Sequence, residues 1–83
     1  MTASTRRLCK CLLKVAIQHN AHAYAGQGYI AYEWQTSTSA RVLLQLENER
    51  GVIYSESDVE CDVITGMYRV WVDGVEAGNP EMN

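Results

Sequence analysis

No acidic residue occurs before Glu33 in this 83-residue chain. Arg6, Arg7, Lys10 and Lys14 crowd the first fourteen positions. From Glu33 onward, ten acids stand against only Arg41, Arg50 and Arg69. The formal charge of −3 therefore averages a cationic front and an anionic remainder. Such a split implies a basic helix that complements its own acidic sheet or that of a second copy, or else a surface directed at a charged partner.

Other absences narrow the class. Lys10 and Lys14 interrupt the one long apolar region, which excludes a membrane-spanning helix and spoils a secretory core. A basic, acid-free amphipathic start does match an organellar transit peptide. Removing it would leave a sheet with no helix to cover it, so a cytoplasmic protein without membrane contact is expected. Cysteine is sparse and odd in number: Cys9, Cys11 and Cys61 cannot all pair within one chain, which points to a reducing compartment. Internal repeats and low-complexity tracts are missing, and 47% hydrophobic residues is too many for disorder. A chain of this length makes one domain, residues 1–83, and buries only about 60% of its unfolded surface. Self-association is the remedy that best fits that thin margin, so a homodimer is expected.

What the chain does possess is one stretch of clear helical periodicity, residues 4–24. Leu8, Leu12, Val15, His19 and Ala23 recur at spacings that share one helix face, and Cys9, Cys11 and Ala16 widen it. Arg7, Lys10, Lys14 and Gln18 form a narrow polar stripe. Leu13, Ile17 and Tyr24 make a second apolar strip, more than a helix lying on one sheet requires, and this surplus is the expected self-association surface. Ser4 or Thr5 is a plausible N-cap. Four positive charges in the first half oppose the macrodipole, so packing must hold this helix. The segment Gly26-Gln27-Gly28 supplies its exit.

Strand and turn follow. Alternation predicts strands at about 29–35, 40–47, 52–56, 59–65 and 67–73, with a short return at 75–77 and a loose tail at 78–83. Val42, Leu44 and Leu46 point inward, as do Val59, Cys61 and Val63, and Tyr68, Val70 and Val72. Asn48 to Gly51 and Thr65-Gly66 read as turns, and Asp73-Gly74 is the strongest hairpin signal. The expected fold is α+β: one N-terminal helix packed on a four- to five-stranded antiparallel meander.

Chemistry-bearing patterns are weak. Cys9-x-Cys11 on a helix splays its thiols some 200° apart, so they cannot share a metal. His19 and His22 lie at i, i+3 but lack further ligands at a recognisable spacing, and suit a helix C-terminus. Cys61 could meet a histidine, yet it alternates as a core residue, where thiols are inert. Gly26-x-Gly28 follows a helix where a dinucleotide fingerprint precedes one, and it lacks the third glycine. No enzyme activity, cofactor or metal site is expected.

Three functional classes remain. The first is a non-enzymatic protein-binding module. Trp71, Arg69 and Met67 project outward near Leu43, and these types are enriched in interface cores. The outward acids Glu47, Glu49, Glu56, Glu60 and Asp62 would face basic sites on another protein. Short acidic α+β chains without a catalytic constellation are the kind of product that phages and mobile elements encode as accessory or inhibitor proteins. An inhibitor of a nucleic-acid-handling complex, such as an anti-CRISPR, is one member of that class, though no motif establishes a family. The second class is a nucleic-acid binder using Arg7, Lys10 and Lys14. The acidic pI and the expected inward placement of the strand aromatics speak against it. The third is a small ligand-binding domain with Tyr32, Trp34, Tyr54 and Tyr68 around a pocket, though the same residues serve more simply as core.

Overall fold

Short turns join each pair of neighbouring strands, and in the first three a polar side chain satisfies the turn's own backbone, which gives the sheet its simple order. The computed structural model describes residues 3–25 and 28–77, with side chains from Leu8 onward. Helix α1 already includes Ser4 and Thr5, so neither is the N-cap expected from sequence; the side chains of residues 3–7 (Arg6 and Arg7 among them), Gly26-Gln27 and the tail 78–83 lie outside the described residues. Helix α1 (Ala3–His19) and the single-turn α2 (Ala21–Tyr24) precede strands β1 (Gly28–Gln35), β2 (Ser39–Glu47), β3 (Ile53–Asp62), β4 (Tyr68–Val72) and β5 (Val75–Ala77). The strands form one antiparallel sheet in sequence order, β1-β2-β3-β4-β5. An N-terminal helix on a five-stranded meander is the α+β arrangement that the periodicities imply.

The turns show why. Thr36 Oγ1 accepts from the Thr38 and Ser39 N–H groups between β1 and β2. Asn48 Oδ1 accepts from the Arg50 and Val52 N–H groups between β2 and β3, and Asp62 Oδ1 does the same for Ile64 and Thr65. These are side-chain substitutes for turn hydrogen bonds. Asp73-Gly74 joins β4 to β5 with both residues at positive φ, 51° and 82°, the backbone a two-residue hairpin needs to match strand twist.

Helix α1 lies mainly over β2 and β3. Cys9, Leu12 and Ala16 are buried against Ala40, Val42, Leu44, Leu46, Val59, Cys61 and Val70. The fully buried Leu and Val side chains among them stabilise the fold by about 1.5–3 kcal/mol each.

Three expectations about the elements need correction. The helix does not run unbroken over 4–24: it is interrupted at Asn20, whose N–H is shared between the Ala16 and Ile17 carbonyls while its own carbonyl accepts from Ala23 and Tyr24. The buried line is Cys9, Leu12, Ala16, Asn20, about one position round from the expected Leu8, Val15 and His19, which are half-buried; Cys11 is exposed. The strands expected at 52–56 and 59–65 are one continuous strand, β3, and the fifth strand is the short return, β5. Ser57 and Asp58 read as a polar break, but Ser57 is completely buried. Asn20 Nδ2 donates to Ser55 Oγ at 2.8 Å and Ser57 Oγ at 2.9 Å, and Ser55 Oγ donates on to the Asp73 carboxylate. A satisfied polar group can occupy a core position, and Val63 lies beyond the end of β3, exposed.

Candidate functional site: the open face of the sheet

Residues directly opposite in an antiparallel sheet share a face. The register thus assembles the side of the sheet away from α1. One row runs Tyr32, Leu43, Asp58, Trp71, Glu76 across all five strands; the next runs Trp34, Arg41, Glu60, Arg69. No helix or loop among the described residues packs over these rows.

The side chains are ordered by one another. Tyr32 and Trp34 stack with ring centroids 6.2 Å apart and planes 25° apart. The Arg41 guanidinium lies 5.2 Å from the Trp34 ring centroid and is held on Asp58 through Nε and Nη2, with Nε 2.9 Å from Oδ1. Arg69 lies 5.0 Å from the Trp71 ring centroid and is likewise forked onto Glu76. The hydrogen bond and charge of Arg69 hold the Glu76 carboxyl below its ordinary value. Arg41, Glu56, Asp58, Glu60, Trp71 and Asp73 border a shallow depression at the β3–β4 side. Two arginines against Glu56, Asp58, Glu60 and Glu76 leave this face anionic.

Of the residues singled out from sequence, Trp71, Arg69 and Glu60 are brought together, and Leu43 sits in the Trp71 row two strands away. Met67 precedes β4 and is exposed. Asp62 stands apart, its carboxylate occupied by the turn after β3. Leu13, Ile17 and Tyr24 are half-buried and packed against the core. Lys10 and Lys14 are exposed on α1.

The expected inward aromatics are a further correction. Tyr32 and Trp34 are 45% and 47% exposed on the open face, and Tyr54 is exposed beside a β-bulge at Leu46/Glu47, its hydroxyl donating to the Ala23 carbonyl. The four aromatics therefore enclose no common pocket, and the objection they raised against nucleic acid does not hold for Tyr32 and Trp34. Sequence reading missed Trp34, Arg41 and Asp58 as one cluster. The available signal was the polar turn at 36–39, because a tight closure there sets Trp34 opposite Arg41.

The chain's thiols and imidazoles assemble no reactive centre among the described residues. Burial pushes up the Cys9 thiol, aided by the charge of Glu33 and a hydrogen bond to it. Burial and then the charge of Asp62 push up Cys61. Groups of three or more His, Cys, Asp or Glu side chains placed to hold a metal are not found among the described residues. No helix there is long and apolar enough to cross a membrane. Compared with protein-family models, curated proteins and solved structures, this chain finds no match.

Proposed function

We propose that this chain is a non-enzymatic protein-binding module whose open sheet face docks on a basic surface of another protein, and which self-associates. The observation that carries the reading is the pinned lattice of Trp34–Arg41–Asp58 and Trp71–Arg69–Glu76 on an otherwise uncovered face. Tryptophan and arginine are the types that dominate binding hot spots. Holding them in place beforehand reduces the ordering cost of association. The surplus carboxylates Glu56 and Glu60 select a cationic partner. A small phage or mobile-element accessory or inhibitor protein, an anti-CRISPR among them, would act in this way.

A second reading is nucleic-acid binding, favoured by the exposed Tyr32–Trp34 stack, since bases stack on such platforms. The carboxylates of β3 and β5 on the same face repel phosphate, and both arginines are already paired, so the protein partner is preferred.

The test is capture from lysate on immobilised chain. A protein retained by the wild type at moderate salt should be lost with Trp71→Ala and with Glu60→Arg, and retained with Lys10→Glu/Lys14→Glu. Retention indifferent to Trp71→Ala would reject the open face as the docking site. Nucleic acid as the captured species, released steeply by salt, would establish the second reading instead.

A further inference from the structure

Strand β1 stands apart from the rest of the sheet. It is eight residues long, GYIAYEWQ, and every residue except Ala31 is exposed. Helix α1 covers β2 and β3 and barely reaches β1. Tyr29 on the helix side, and Ile30, Tyr32 and Trp34 on the open side, consequently remain in contact with water. On its outer edge, β1 pairs with no strand among the described residues.

The direction of its outward hydrogen-bonding groups follows from the turn. The Thr36 N–H donates to the Ser39 carbonyl, and Thr36 opposite Ser39 continues the β1–β2 register. Along β1 the even-numbered residues therefore bond to β2, while Tyr29, Ala31 and Glu33 aim N–H and C=O away from the sheet. Such an edge is a template for another strand. Proteins that keep an edge single blunt it with charged side chains, an inward-pointing charge, proline, a bulge or brevity. The opposite edge, β5, is three residues long. β1 has no lysine or proline, and its one charge, Glu33, lies beside Cys9 on the helix side.

We infer that β1 pairs antiparallel with β1 of a second copy, about a two-fold axis at Tyr32, joining two five-stranded sheets into one of ten. This rests on the self-association proposed above and names its surface. Outward groups on odd residues must meet outward groups on odd residues, so only registers stepping by two are open. Centring on Glu33 sets two carboxylates face to face. Centring on Ala31 sets Trp34 opposite Gly28, which has no side chain to meet it. Centring on Tyr32 pairs Ala31 with the partner's Glu33, and Tyr29 with the partner's Gln35. On the open face it pairs Ile30 with the partner's Trp34, twice by symmetry, and Tyr32 with itself. Aromatic–aromatic and aromatic–β-branched pairs are the favourable cross-strand contacts, and no like charges oppose. A strand that complements itself so fully fits a second copy better than an unrelated chain.

Sedimentation and cysteine crosslinking test this on the full chain. In a Cys11→Ser background, which leaves only buried native thiols, Tyr32→Cys should form an interchain disulfide on mild oxidation. Opposed residues at a non-hydrogen-bonded site lie about 4.5 Å apart at Cα, within disulfide reach. Ile30→Cys should not crosslink, its own counterpart lying some four residues away along the strand. Ala31→Pro removes an outward N–H without touching the β1–β2 ladder, and should halve the sedimenting mass with an unchanged circular dichroism spectrum. A wild-type dimer with no Tyr32→Cys crosslink, or with equal crosslinking at Ile30→Cys, would overturn the β1 pairing while leaving self-association standing. A wild-type monomer at all concentrations would overturn both.

Discussion

Asn20 ties helix to sheet at a point where apolar packing would otherwise be expected. It is 3% exposed, and its amide donates to two serine hydroxyls on β3. Removing one partner from a buried hydrogen-bonded set strands the others, at a cost of about 1–3 kcal/mol. Asn20→Ala should lower unfolding stability by about that amount in urea. Asn20→Leu combined with Ser57→Val should recover much of it, since replacing both partners by apolar groups can be nearly neutral. A loss below about 0.5 kcal/mol for Asn20→Ala would show that water replaces the amide without penalty. This network also explains the misplaced break at Ser57. In the sequence, a serine next to an aspartate reads as solvent-facing, and the asparagine that satisfies it is 37 positions away. Local composition cannot register a partner at that distance.

At the scale of elements, what depends on near neighbours was legible. The two ends of the sheet make the contrast. Asp73-Gly74 announces its hairpin because both residues must adopt positive φ, and aspartate and glycine tolerate it. Gly74→Ala meets no atom within 4 Å of its new Cβ, so any destabilisation comes from φ +82° alone. A cost of about 1 kcal/mol is expected. Thermal unfolding should then shift down by about 4–8 °C, and an unchanged midpoint would refute the strain. At the other end, the alternation in β1 separated Tyr32 and Trp34 correctly from Tyr29 and Ala31. It could not tell which side the helix would cover, because both faces carry large aromatics. The helix chose the face where β2 supplies Val42, Leu44 and Leu46, all at 0% exposure, and so left Trp34 beside Arg41.

At the scale of the whole molecule, much of the charge division along the sequence becomes a division in space, with Glu33, beside Cys9 on the helix side, as the exception. Lys10 and Lys14 are exposed on α1, while Glu56, Glu60 and Glu76 lie on the sheet face turned away from it. A helix and a sheet separate the two sets, a distance beyond the roughly 8 Å over which charges act at physiological salt. The simplest account of the cationic front, that it complements the chain's own acidic sheet, is therefore weak. Lys10→Glu/Lys14→Glu should change unfolding stability by less than about 0.5 kcal/mol, with little dependence on salt between low and physiological ionic strength. If the helix charge did complement the sheet within one chain, the double variant would lose more than this at low salt and regain it as salt rose. The expected indifference would leave two outward faces of opposite sign. One is the anionic lattice around Trp71 proposed above as the docking face, and the other the exposed Lys10 and Lys14 stripe of α1.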